Sequence, residues 1–208
     1  MKPFRAFEGP TSLDLLQGPG WAWIGLHSVD GLHRLHSETL VALDALLSEL
    51  RFSGVRRVAL SASGWMEGQG RHFSAGADLH EVATLTPVTA DAFARRGQRV
   101  MNALLWPGWR SLTLISGVAM GGGCDLALHG QERWCVEGLR MAHPAAKHGI
   151  LTGFGGTARL PELLGAEGAA RLFAGLEHWN ERDAMEAGAV QRALRQEQAR
   201  GAVLDWLQ

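Results

Sequence analysis

Two short loops hold the residues best suited to chemistry. One is His72-Phe73-Ser74-Ala75-Gly76-Ala77-Asp78-Leu79; the other runs from Gly117 through Gly121-Gly122-Gly123 to Asp125. Each stands where a strand-like run gives way to a helix-like one. Such a junction points backbone N–H groups at an anion or a polarised carbonyl. Small side chains there let a ligand approach the backbone closely. Two such loops, if they converge, supply the two donors of an oxyanion hole. Taken singly, each also reads as an ordinary tight turn.

Competing signatures fail on their residues. A phosphate-binding loop ends Gly-Lys-Ser/Thr, whereas the triple glycine runs into Cys124-Asp125. Gly153-Phe154-Gly155-Gly156 does not extend to the dinucleotide pattern, and Ser74 lacks the first glycine of a nucleophile elbow. The chain contains no tyrosine, which excludes tyrosine-dependent acid or nucleophile chemistry. His33 and His36 are spaced like metal ligands but have no third partner in the sequence, so no metal site is assigned. Cys124 and Cys135 make no CxxC and suit a reducing cytoplasm.

The elements that must position these loops follow from composition and periodicity. With 208 residues, 46% of them apolar, the chain can bury one large core as a single domain. A formal net charge of −1 gives no bulk electrostatic case for nucleic acid. No stretch reaches the length of a membrane span or a signal-peptide core, so a cytoplasmic setting is expected. Pro3, Pro10 and Pro19 break the opening twenty residues, which read as a surface segment. Residues 21–27 read as a strand. Ser37 reads as the cap of a helix carrying Leu40, Leu43, Leu46, Leu47 and Leu50 and ending at Gly54. Strands are expected at 57–63 and 112–115, and a loop over 64–76. Helices are expected at 78–82, at 89–105 and from the triple glycine through Leu128. Strand-like pieces at 133–136 and 139–142 precede mostly helical chain from Gly155. This alternation argues an α/β fold around a largely parallel sheet.

Three segments occur in order: Ala75-Gly76-Ala77-Asp78-Leu79, then Gly117 to Ala127, then Gly153-Phe154-Gly155-Gly156-Thr157-Ala158-Arg159-Leu160-Pro161. Over roughly residues 20–192 the chain resembles the enoyl-CoA hydratase/isomerase (crotonase) superfamily. The resemblance implies a crotonase-like (ClpP/crotonase) α/β fold of repeated ββα units. It implies a core domain over residues 1–192, then residues 193–208 as a short remnant of the family's C-terminal helical region. It implies a homo-oligomer, trimer or hexamer, although family chains usually continue with further helices that join the trimer. It implies an acyl-CoA thioester as substrate, with coenzyme A entering as part of that substrate and no covalently bound cofactor. The thioester carbonyl would accept hydrogen bonds from the N–H groups of Ala77 and Gly122. The nucleotide end is expected near Gly31-Leu32 and Ser74-Ala75, and Gly76, Asp78, Gly121 and Ala145 fall at further substrate-binding positions.

The acid/base positions depart from the family pattern. Family hydratases use two glutamates; the first matches Asp125 here, which keeps a carboxylate on a shorter stem, and the second matches Ala145, which cannot titrate. His143 and His148 bracket that gap. His143 reads first as a hydrogen-bonded structural histidine, with general base as the alternative. Asp78 reads as a helix cap that shapes the oxyanion loop, and Glu81 as a solvated carboxylate. Trp106 and Trp109, flanking Pro107-Gly108, read as core or subunit contacts.

The resulting expectation is an acyl-CoA enzyme working through a thioester enolate, with Asp125 as its acid/base, that isomerises or hydrates an enoyl-CoA in fatty acid metabolism. Isomerisation needs one well-placed base, whereas hydration ordinarily uses two carboxylates. The alternatives are a tailoring enzyme for an acyl-carrier-protein thioester and a non-catalytic thioester-binding or assembly subunit.

Overall fold

The computed structural model describes residues 2–144, 149–174 and 178–208. Its main sheet has seven strands in the order β1-β2-β3-β4-β5-β7-β9. These are β1 (Phe4–Phe7), β2 (Ser12–Gly18), β3 (Trp21–His27), β4 (Arg57–Ala62), β5 (Arg110–Ile115), β7 (Glu132–Val136) and β9 (Arg192–Leu194). The first two joins are antiparallel and every join from β3 to β9 is parallel. A parallel join needs a crossover that packs back on the sheet. The crossovers carry α1 (Ser37–Phe52), α2 (Leu79–Ala83), α3 (Pro87–Leu104), α4 (Gly122–Leu128), α5 (Gly156–Ala174) and α6 (Glu181–Glu186), and α7 (Gln196–Leu207) closes the order. Gly165, at φ +71°, interrupts α5. A separate pair, β6 (Val118–Met120) and β8 (Arg140–Ala142), runs parallel.

The period-2 geometry of a strand divides the core into two layers. On β3, Ala22, Ile24 and Leu26 join the layer under α1 and α3, where Leu40, Leu43, Leu47, Val100 and Leu104 are buried. Trp21 and Trp23 face the opposite way, with Trp65, Leu112, Leu114 and Trp134, and α7 covers that face through Val203 and Leu207. Buried indole N–H groups need acceptors, and serines provide them: Trp23 Nε1 donates to Ser61 Oγ and Trp65 Nε1 to Ser116 Oγ, each at 2.8 Å.

The opening segment departs from expectation. Residues 4–7 and 12–18 are strands, and Leu13, Leu15 and Leu16 are core residues rather than surface ones. The prolines lie outside both strands, at their ends, where a missing N–H breaks no ladder. Ser37 is the first residue of α1 and not its cap; His36 precedes the helix in extended conformation. The expected loop at 64–76 begins as a 3-10 turn over Ser63–Glu67. Helix α3 starts two residues earlier than expected because Thr86 and Thr89 form a reciprocal cap with Pro87 in the first turn. Strand β9 was not expected. Among the described residues, no helix is long and apolar enough to cross a membrane.

Candidate active site

The two glycine loops meet because three chain segments lie side by side. Ser74 bridges Ala119 in parallel: its N–H donates to the Val118 carbonyl and its carbonyl accepts from the Met120 N–H, both at 3.0 Å. On the other side β6 pairs with β8, and the Gly121 N–H donates to the Ala142 carbonyl at 3.0 Å. The ends of these segments, Ala75-Gly76-Ala77, Gly121-Gly122 and His143-Pro144, therefore open onto one place.

Close approach explains the glycines. A Cβ on Gly76, whose φ is +91°, would stand 2.4 Å from the Met120 carbonyl oxygen and 3.0 Å from the Gly122 nitrogen. A Cβ on Gly123 would meet the Ser74 carbonyl oxygen at 2.4 Å. A Cβ on Gly122 would lie 3.5 Å from the Ala77 nitrogen, which sets these two backbone N–H groups close together. Gly122 opens α4, so its N–H has no acceptor within the helix, and the Ala77 N–H has no acceptor among the described residues.

Ala77 and Gly122 both line a cavity of about 460 Å³. Its walls are apolar, with Leu79 and Val82 from α2, Phe93 from α3, and Ile150, Leu151 and Phe154 from the chain before α5. Phe93 and Phe154 pack with ring centroids 5.1 Å apart. Two titratable groups line the cavity among the described residues, Asp91 and His143. Asp91 is exposed and takes the Arg95 guanidinium at 2.8 Å, whereas His143 is buried.

Asp125, expected to meet the substrate, is fully buried on α4 and does not line the cavity. One carboxylate oxygen accepts from His143 Nε2 at 3.1 Å, and the other accepts the hydroxyl proton of Thr152. The backbone carbonyl of Asp125 takes His129 Nδ1 at 2.6 Å. The imidazole of His143 also packs on the Phe173 ring, at 4.9 Å between centroids. Neither Thr152 nor the pairing of His143 with Asp125 was anticipated. The sequence carries no local signal for either, since Thr152 lies nine residues after His143 and Asp125 eighteen before it. The expectations on Ala145 and His148 fall in residues 145–148, outside the described residues.

The remaining expected positions split between shaping the loop and holding neighbouring turns. Ser74 is buried; its Oγ donates to the His33 carbonyl at 2.7 Å and accepts from the Gly76 N–H at 3.1 Å. The Ala75 N–H donates to the Leu32 carbonyl at 2.8 Å, which brings the 31–32 turn against the 75–77 loop. Gly31 takes φ +71° in that turn. Asp30 accepts from the Leu32 N–H and from Arg34, and these bonds hold its carboxyl far below the usual range. Asp78 caps α2, taking the Glu81 N–H at 2.9 Å, and that bond lowers its pKa. Glu81 faces away from the cavity: its carboxylate accepts from the Ser37 N–H at 3.1 Å. His33 sits at φ +45° with Nδ1 between the carbonyls of His72 and Phe73. Burial lowers the pKa of both His33 and His129. Trp106 and Trp109 stack edge to face under the Arg51 guanidinium, away from the cavity.

The chain resembles known proteins. The family model for enoyl-CoA hydratase/isomerase matches residues 57–208. A probable enoyl-CoA hydratase of Bacillus subtilis is 32% identical over 158 residues, which cover 75% of this chain and 59% of that protein. A short-chain-enoyl-CoA hydratase of Clostridium acetobutylicum is 28% identical over 174 residues, covering 83% of this chain and 65% of that protein. The chain thus spans about three fifths of the length of these relatives. Among solved structures, Pseudomonas aeruginosa DspI superposes with a TM-score of 0.85 at 29% identity, covering 94% of this chain and 72% of that one. An enoyl-CoA hydratase of Thermoplasma volcanium does so with a TM-score of 0.84 at 25% identity, over 94% and 76%. With the crotonase fold, the paired glycine loops and this match together, the chain belongs to the enoyl-CoA hydratase/isomerase family.

Proposed function

We propose that this protein binds an acyl-CoA thioester and stabilises its enolate, isomerising or hydrating an enoyl-CoA. The observation that carries this reading is the pair of N–H groups on Ala77 and Gly122, close together and without acceptors among the described residues, on two residues that line one apolar cavity. A thioester oxygen placed between them gains two hydrogen bonds that strengthen as it takes on negative charge. Losing one such donor costs about 3 kcal/mol of barrier in comparable sites. Their pull acidifies the proton on the adjacent carbon. The apolar walls suit the acyl chain, and the Leu32–Ala75 contact suits the nucleotide end, which would approach along the 31–32 turn. Isomerisation is the favoured outcome, because the cavity offers one buried titratable side chain among its described lining and proton shuttling between carbons needs only one.

Proton NMR tests the proposal, with saturated, 2-enoyl and 3-enoyl CoA thioesters of four to eight carbons in heavy water. Deuterium at the carbon next to the thioester is the expected result, and a shifted double bond or a 3-hydroxy product would name the reaction. Thioesters that bind without exchange or conversion would overturn the proposal.

A further inference from the structure

We propose that His143 is the residue that moves the proton in this cavity and that Asp125 is a positioning residue behind it. The inference rests on the thioester-enolate reading above and assigns its base. A carboxylate oxygen accepts hydrogen bonds and cannot donate them, so whenever the ring is neutral the 3.1 Å contact to Asp125 keeps its proton on Nε2. The basic lone pair is then on Nδ1. Asp125 is itself sealed from the cavity, with its oxygens taken up by His143 and by the Thr152 hydroxyl. A carboxylate so enclosed cannot reach a substrate carbon. It can orient an imidazole and stabilise the imidazolium formed when that ring takes a proton. The β6–β8 pairing brings His143 to the same cavity as the donors, since Gly121 bonds to Ala142, the residue before His143, and His143, Ala77 and Gly122 all line it. Ala145, two residues on, has no group to compete.

The step balances without any co-reactant. Nδ1 takes a proton from the carbon next to the thioester. The electron pair of the broken C–H bond moves into the enolate, whose oxygen rests on the Ala77 and Gly122 N–H groups. The imidazolium then returns the proton, to the same carbon in simple exchange or to the γ-carbon in isomerisation. The electron pair comes back to form the new C–H bond, and no net oxidation occurs.

The test is α-deuterium exchange of hexanoyl-CoA, and conversion of 3-hexenoyl-CoA, in wild type and three variants. His143→Gln keeps an N–H for Asp125 but has no basic lone pair. It is expected to lose about 100-fold in rate or more, with KM within about threefold. His143→Ala is expected to lose as much and to recover with added imidazole. Asp125→Asn is expected to lower turnover about 10-fold while KM holds, which a merely structural role would not produce. Wild-type exchange together with His143→Gln activity within about threefold of it would overturn the assignment and leave the thioester-enolate reading standing. A change in KM alone in Asp125→Asn would overturn the positioning role. Wild type that binds both thioesters and acts on neither would remove the reading itself.

Discussion

The Asp125 carboxylate occupies the space a side chain on Gly156 would need: a Cβ built there would lie 1.9 Å from Oδ1. Gly156 opens α5, so the helix and the carboxylate are locked together without a direct hydrogen bond. Gly156→Ala must therefore displace one or the other, in a region with no room to yield. Overpacking of this kind costs about 1–3 kcal/mol. The expected outcome is a melting temperature lower by roughly 2–12 °C, since 1 kcal/mol is worth about 2–4 °C in a chain of this size. Exchange activity should fall further than stability does, because the displaced atom is the one that holds His143. Calorimetry beside the exchange assay checks both.

Gly76 is a harsher case. Its φ of +91° excludes most side chains, and the atoms a Cβ would meet are backbone atoms of Met120, Gly122 and Gly123, not flexible side-chain ends. Gly76→Ala is expected to abolish activity by pushing the two N–H donors apart, with a loss of at least about 100-fold from donor misplacement alone. Activity retained within tenfold would mean that the two loops do not act as one donor pair.

The Glu81 carboxylate supplies the acceptor that His36 does not provide at the start of α1. Capping interactions of this sort contribute about 1 kcal/mol. Glu81→Ala should lower the melting temperature by roughly 2–4 °C and leave turnover unchanged. A drop in turnover with an unchanged melting curve would instead place Glu81 at the substrate.

Acidification should destabilise the protein before its carboxylates titrate. His33 and His129 both have pKa values lowered by burial, so between those values and the ordinary 6.5 the unfolded chain binds protons that the native state refuses. Stability is therefore present at neutral pH and declines as the pH falls from about 7 toward 5. His33→Asn provides the check. Asparagine tolerates the positive φ at this position, and its amide can reach the same carbonyls without titrating. The variant should show a flatter dependence of melting temperature on pH over that window. An identical slope would show that His33 does not contribute to it.

The two thiols should be inert in the native state. Cys124 and Cys135 are unpaired and buried, and burial pushes the Cys135 thiol up to about 12 and raises Cys124 as well. An aromatic disulfide reagent at pH 8 should label neither until denaturant is added, and then both. Rapid labelling of the folded protein would show that β7 or α4 opens locally.

Much of this arrangement is readable from residue order. The leucine period of α1, the apolar runs of β3, β4 and β5, and the glycines at the strand ends all carry their own physical reasons. The failures were of two kinds. Local punctuation misled where three prolines suggested an irregular opening, although they lie beside strands whose leucines alternate into the core. Tertiary pairing was out of reach elsewhere: β9 has three residues and is a strand only because β7 lies beside it. His143 belongs to the second kind. Its neighbours in the sequence give no sign of Asp125, which reaches it only through the parallel pairing of β6 with β8. Capping misled once more at Ser37, because the acceptor for its N–H lies on another helix.

The ring of Phe154 has a double office. One edge presses where a side chain on Gly97 would stand, 2.1 Å from its ideal Cβ, and the other where one on Gly122 would stand, at 2.8 Å. The phenyl group is thus a gauge block between α3 and the polarising backbone. Trimming it to widen the cavity would also release the Gly122 peptide, which the proposed function places on the thioester oxygen. Chain-length preference and catalytic power cannot be tuned separately at that position. On the proposed function, a descendant that accepts bulkier acyl groups should show its changes at Leu79 and Val82 of α2 and at Leu85 just beyond it, and keep the phenylalanine.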